Sequence, residues 1–224
     1  LGNGSDEIIH MLCVAFAQKG NGAMLCPEPT FSVYKIAAAA LGMKYVGVPL
    51  RPEDFSLDAD AMIAAIKKHT PSIIFLASPN NPTANLLDAG VLAEICRNSP
   101  GLVILDEAYY RFSGESRVKD VTEIENLVVM HTLSKIGLAG LRIGALFGAS
   151  EWIDILNRIR MPYNIGALSQ AAAIFALKHE KEFSKQIDFL VKSRDTLYKQ
   201  LLSISQIKVW PSQTNFLLVR LPPD

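Results

Sequence analysis

A chain of 224 residues is long enough for one large domain or one and a half smaller ones. Its 22 basic residues balance 22 acidic ones and half its residues are apolar, so no net field draws it to nucleic acid or an anionic membrane, and the composition is that of a globular enzyme. No apolar run approaches the roughly 18 to 20 residues of a membrane span, and no basic segment followed by an apolar core marks a signal peptide.

Taken in chain order, the first residues, Gly2-Asn3-Gly4-Ser5-Asp6, describe a turn opening into a helix over about 5–18. Apolar, β-rich runs predict strands at Ala23–Cys26, Lys44–Val48, Ser72–Ala77, Leu102–Leu105, Leu127–His131 and Arg142–Phe147. Helical patterns alternate with the first of these, at about 31–41, 58–68 and 87–97. Cores such as Ile73-Ile74-Phe75-Leu76 are continuously apolar, as in strands covered on both faces. The alternation predicts an α/β fold with a mostly parallel central sheet and helices on both faces. After Pro162 the pattern changes. Residues 167–203 contain neither Gly nor Pro, and two helices with a break near Lys178–Glu180 are expected, followed by strands at Ile207–Val209 and Asn215–Leu221. A large domain over 1–162 and the beginning of a smaller α+β domain over 163–224 are therefore expected. The start at Leu1 and the stop at Asp224 read as those of a piece of a longer protein.

Cys13, Cys26 and Cys96 fit neither a disulfide framework nor metal-ligand spacing, and the four histidines form no close pair. Buried thiols in a reducing, cytoplasmic setting are expected, with no metal site.

Parallel sheets present ligands at the carboxyl ends of their strands, and four polar clusters fall at such places. At the first, Ser5 and Asp6 open a helix whose amides suit a phosphate, although a plain N-cap explains the same residues. It is no dinucleotide fingerprint, because Glu7 stands where a third glycine is needed. The second, Ser78-Pro79-Asn80-Asn81-Pro82-Thr83-Ala84-Asn85, holds two side-chain amides in a turn stiffened by prolines. In the third, Asp106 and Glu107 end an apolar strand. A Mg²⁺-binding strand of an ATPase would need a phosphate loop ending in Gly-Lys-Ser/Thr, which the chain lacks. The other reading is a buried Asp paired with a protonated pyridine nitrogen. In the fourth, Lys135 ends a strand among Thr132 and Ser134, with Arg142 seven positions on. An amine that can condense with an aldehyde, beside hydroxyls and a forked guanidinium suited to a phosphate dianion, fits that setting. Together the clusters supply an amine, a carboxylate, phosphate donors and ring-hydroxyl donors, a set that matches pyridoxal 5'-phosphate.

The ordered blocks GNGSDEII, CPEPTFSVY, SPNNPTANL, LDEAYYRF, TLSKIGLAGLRIG and MPYN resemble the fold-type I aminotransferases over nearly the whole chain, and most closely their histidinol-phosphate branch. That resemblance implies roles for the matching positions. Lys135 would hold the cofactor and move the substrate's α proton, and Asp106 would pair with the pyridine nitrogen. Asn81 and Tyr109 would bond the phenolic oxygen, and Phe31 would stack on the ring. The amides of Ser5 and Asp6, with Thr132, Ser134 and Arg142, would bind the phosphate, while Asn164 lies in a block near the site. It also implies a homodimer that moves an amino group between L-histidinol phosphate and 2-oxoglutarate in histidine biosynthesis. Another donor, a decarboxylase or lyase reaction, or a non-catalytic sensor domain would share the fold. Ala84 departs from the glycine usual at its position, for which a non-positive φ or a different turn is expected. The family's N-terminal arm and the C-terminal segment with its substrate-binding Arg have no counterpart, so Arg220 receives no such role and weak turnover is expected of the chain alone.

Overall fold

The computed structural model describes residues 1–17 and 20–222. A short strand β1 (Gly2–Asn3) leads into helix α1 (Gly4–Phe16), then β2 (Ala23–Glu28), α2 (Val33–Ala40), β3 (Lys44–Pro49), α3 (Ala59–His69), β4 (Ile73–Ala77) and α4 (Ala89–Asn98). Next come β5 (Leu102–Asp106), the single turn α5 (Tyr110–Ser113), β6 (Leu127–Thr132), β7 (Ile143–Phe147) and α6 (Ser150–Ile159). Two helices, α7 (Ala167–Lys178) and α8 (Glu180–Leu201), precede a hairpin of β8 (Lys208–Val209) and β9 (Val219–Arg220). The expected helix over 5–18 ends earlier than read, and its last residue, Gln18, lies outside the described residues.

Seven strands form one sheet in the order β1-β7-β6-β5-β4-β2-β3. Strands β2 to β6 run parallel, whereas β7 is antiparallel to β6 and β1 antiparallel to β7. The direction of β7 follows from its connection: between Thr132 and Ile143 there are only two short 3₁₀ turns, too little chain for the crossover that a parallel neighbour requires.

Strand alternation divides the core in two. Ile73, Phe75, Leu102, Ile104, Val128 and Met130 pack on one face against α1, α2 and Leu156 of α6. Ile74, Leu76, Val103, Leu105, Leu127 and Val129 pack on the other against α3 and α4. Asp58 and Asp88 cap α3 and α4, each accepting from the amide three residues on at 3.0 Å. The break between α7 and α8 falls at His179, inside the expected interval. Helix α6 was not expected, and β9 is shorter than the run at Asn215–Leu221 predicts. Phe216 in that run packs on Tyr109 at 5.3 Å between ring centroids instead of joining a ladder. Cys13, Cys26 and Cys96 are free and buried. Among the described residues no helix is long and apolar enough to cross a membrane.

Candidate active site

From β2 the chain moves outward to β3 and then returns to β4 on β2's other side, so the connections leave the carboxyl ends of β2 and β4 in opposite directions. Such a switch point opens a crevice. A cavity of about 250 Å³ lies there, lined by Ser5, Asp6, Phe31, Tyr34, Asn81, Asp106, Tyr109, Ser134, Lys135 and Arg142, with Ala77, Pro79, Ala108 and Ala139. Residues from five separate stretches of chain thus converge at one end of the sheet.

Each stretch has a local reason for its position. Asp106 is the last residue of β5 and shares a face with Ile104, so its side chain lies on the α1–α2 side of the sheet, where the cavity is. It is nearly inaccessible to water. Its Oδ2 accepts from the Tyr34 hydroxyl at 2.6 Å and its Oδ1 from the Ala108 amide at 3.0 Å. Burial pushes its carboxyl up to about 6, against the opposing pull of Tyr34, the Ala108 amide and the Lys135 ammonium. Glu107, one residue on, takes the opposite direction. It accepts from Ser116 Oγ at 2.5 Å, the Arg117 amide at 2.6 Å and His131 Nε2 at 2.7 Å, and has no part in the cavity.

Lys135 sits in the first short turn after β6, with its ammonium 5.3 Å from the centre of the Tyr109 ring. Tyr109 follows β5 and is itself held edge-on by Phe216. In the turn after β4 the two asparagines separate. Asn80 is consumed internally, accepting from Thr30 Oγ1 and donating to the Pro29 carbonyl and Thr83 Oγ1, which leaves Asn81 at the cavity wall. Ala84 in this turn has φ of 63°, not the non-positive value that was one of the two expectations: the left-handed backbone turns the chain back so that the Asn85 carbonyl accepts from the Asn80 amide at 2.9 Å.

The opposite wall is made where β1, α1 and β7 meet. Gly4 donates its amide to the Arg142 carbonyl at 2.9 Å, and a β-carbon at Gly4 would collide with the Arg142 guanidinium. A β-carbon at Gly144 would strike the Gly4 backbone at 2.7 Å, so Gly144 must be glycine for helix and strand to approach, while Gly4 is glycine for its φ of 77°. Arg142 itself has φ of 53°, which turns its side chain out of β7 toward the start of α1. There it pairs with Asp6 Oδ2 at 2.6 Å. Asn3, the residue capping α1, makes no side-chain bond to the helix; its amide donates to Glu7 Oε2 at 2.5 Å instead. Ser5 and Asp6 are therefore left facing the cavity with the first-turn amides of α1, which have no partner within the helix.

Two residues singled out in the sequence lie elsewhere. Thr132 is buried and does not reach the wall, because its hydroxyl is turned inward to Ser134 Oγ at 3.0 Å and the Ile143 carbonyl at 3.3 Å. It braces Ser134, whose amide it also accepts at 3.2 Å. Asn164 joins the chain start to α1 and α6, donating to Glu7 Oε2 at 2.7 Å and accepting from Arg160 at 3.0 Å. One residue was missed: Tyr34, fully buried and bonded to Asp106. Its only sequence signal was a polar tip among the apolar positions of α2.

Comparison with known proteins adds three findings. The family model described as aminotransferase class I and II matches residues 1–224. Histidinol-phosphate aminotransferase 2 of Nitrosococcus oceani is 48% identical over 223 residues, covering 100% of this chain and 61% of the relative. The histidinol-phosphate aminotransferase of Chromobacterium violaceum is 45% identical over 222 residues, covering 99% and 62%. The chain thus spans about three fifths of the length of the curated relatives it matches. Among solved structures, histidinol-phosphate aminotransferase from Sinorhizobium meliloti in complex with pyridoxal-5'-phosphate superposes with a TM-score of 0.90 at 24% identity, covering 100% of this chain and 61% of that one, a likeness of fold.

Proposed function

The chain belongs to the aminotransferase class I and II family, and from that premise we propose that it is the cofactor-binding part of a pyridoxal-phosphate transaminase whose amino donor is L-histidinol phosphate and whose acceptor is 2-oxoglutarate. The observation that carries the reading is the convergence of Lys135, Asp106 and Arg142 on one cavity. The donor set fits the cofactor: a primary amine, a buried carboxylate, an aromatic ring in the wall, and a guanidinium beside a helix N-terminus in a cradle that two glycines keep open.

When bound, pyridoxal phosphate supplies an aldehyde that joins amines and a ring that takes up the electron pair left by a broken substrate Cα bond. Lys135 Nζ would anchor the aldehyde at rest and then accept and return the substrate's α proton. Asp106, ionised above about pH 6, would hold the ring nitrogen in its protonated form. Asn81 and Tyr109 would bond the phenolic oxygen, and Phe31 would cover one face of the ring. Arg142, Ser134 and the first amides of α1 would bind the phosphate, with Thr132 acting through Ser134. We further propose that residues 1–162 form the cofactor-binding domain and 163–224 the link to a smaller one, that the protein works in the cytoplasm, and that it is a homodimer. The solvent-facing Tyr163, Leu168 and Phe175 support the last point as the surface a second copy would cover.

Addition of pyridoxal phosphate tests the cofactor assignment. The protein is expected to develop a visible absorption band, and borohydride is expected to fix the cofactor's mass on the peptide that contains Lys135. Lys135→Ala is expected to lose both, and a band that survives in that variant refutes the assignment. Single-turnover reactions with a panel of amino donors test the substrate, and a faster reaction with any donor other than histidinol phosphate removes it.

A further inference from the structure

We propose that Tyr34 is a positioning residue for the cofactor-facing carboxylate: its buried hydroxyl, 2.6 Å from Asp106 Oδ2, keeps Asp106 charged and fixes its orientation toward the cavity. The inference rests on the reading of that cavity as a pyridoxal-phosphate site.

Tyr34 lies in the first turn of α2 and is fully buried. Its ring stacks on Phe75 with centroids 4.6 Å apart and meets Phe31 edge-on at 5.6 Å. Those contacts ask only for a ring, and phenylalanine would supply one of the same shape. The hydroxyl is chemistry that packing does not need, and a buried hydroxyl is unfavourable unless it is paired. Its partner is the buried carboxylate of the cavity wall, the other one there, Asp6, being half exposed and paired with Arg142.

The direction of the bond is settled by charge. Burial holds the phenol's ionisation well above its ordinary value, and the neighbouring Asp106 charge adds to that, so Tyr34 keeps its proton and donates. A donor on Oδ2, with the Ala108 amide on Oδ1, leaves the carboxylate no free rotation and favours its ionised form. Other groups act on the pair from a distance. Lys135, beyond β6, favours the Asp106 charge and Asp6 of α1 opposes it, while Cys26 of β2 and Tyr109 bear on Tyr34. Tyr34 also links the two walls of the cavity, because the ring it meets edge-on, Phe31, is itself part of the lining.

The test is Tyr34→Phe in the full-length protein, read by the dissociation constant for pyridoxal phosphate as a function of pH. Loss of one hydrogen bond to a charged group is expected to weaken binding about tenfold at neutral pH, and to move the acid-side inflection of affinity upward by about one pH unit. In an Asp106→Asn background the same change is expected to alter affinity less than about twofold, because the charge it serves is gone. Replacement of Tyr34 by 3-fluorotyrosine, a stronger donor of nearly the same volume, is expected to move the inflection down. A residue that merely packs would lower the melting temperature, weaken binding equally in both backgrounds and leave the inflection in place. That outcome, or an unchanged affinity and inflection, overturns this inference alone. Failure of the unaltered protein to take up pyridoxal phosphate overturns the cofactor reading as well.

Discussion

At the end of β5 two consecutive carboxylates occupy surroundings that differ in every respect except burial. Glu107, on the loop side, has a donor at each of three contacts: the Ser116 hydroxyl, the Arg117 amide and the His131 ring, the last stacked on Tyr110 with centroids 4.0 Å apart. Asp106, on the cavity side, has two donors and an open space. Both are buried, and alternation along the strand sends them to opposite sides. The contrast teaches what separates a structural carboxylate from a reactive one. A buried charge whose acceptor sites are filled by the protein ties elements together, whereas one whose sites are partly left for a ligand carries an unrelieved desolvation penalty until that ligand arrives.

The largest effect that would sharpen this contrast is expected on the loop side. Glu107→Ala removes the common acceptor of two half-buried donors and one exposed one and leaves a cavity besides. Chemical denaturation is expected to show a loss of about 3 to 5 kcal/mol, because the half-buried donors lose their partner at about 1 to 3 kcal/mol each and the removed side chain leaves a void. A loss below about 1 kcal/mol would mean that water replaces the carboxylate and that the loop at 113–117 does not depend on it.

On the cavity side the sign is expected to reverse. The Asp106 carboxyl is raised to about 6 in the folded protein, above the roughly 3.9 of an unfolded chain. The folded form therefore binds this proton more tightly, so the contribution of the group is fully present below about pH 4 and is lost as pH rises through 6. At pH 7 the ionised, cofactor-free site should cost on the order of 2 to 3 kcal/mol. Asp106→Asn is expected to make the cofactor-free protein more stable by up to that amount at pH 7, with the difference gone by about pH 4, while cofactor affinity falls. Equal stability of the two proteins at pH 7 would place Asp106 with Glu107 as a fully satisfied group.

This divergence also marks the boundary of what the sequence made legible. The apolar runs gave the strands and the two-sided sheet because they depend on local periodicity, and the clusters at the strand ends gave Lys135, Asp106 and Asn81 because parallel topology collects carboxyl ends at one edge, where antiparallel β7 also begins and brings in Arg142. The direction of β7 was not visible as a pattern, since it depends on how little chain separates Thr132 from Ile143. Helix α6 was missed although Trp152, Ile153 and Leu156 carry helical spacing, their signal being short beside the runs around it. Thr132 read as a phosphate ligand because a hydroxyl's direction is set by its partner, here Ser134, and no sequence shows that. Tyr34 was hidden for the same reason: its partner is 72 residues away in the chain.

The smallest expected effect isolates one contact of the structural carboxylate. Ser116 donates to Glu107 Oε2 at 2.5 Å, the same oxygen that accepts from His131, while the Arg117 amide holds Oε1. Ser116→Ala removes one of the two donors on Oε2 and leaves the loop anchored through Arg117, so a loss of about 1 to 2 kcal/mol is expected, less than for Glu107→Ala. If the three donors act as a unit, the two substitutions together should be little worse than Glu107→Ala alone, because the hydroxyl's bond to the carboxylate is already gone and only the Val118 amide that it accepts at 3.2 Å remains. Additive losses in that double variant would show that Ser116 stabilises the loop by its turn geometry, and the three-donor account of Glu107 would have to be given up.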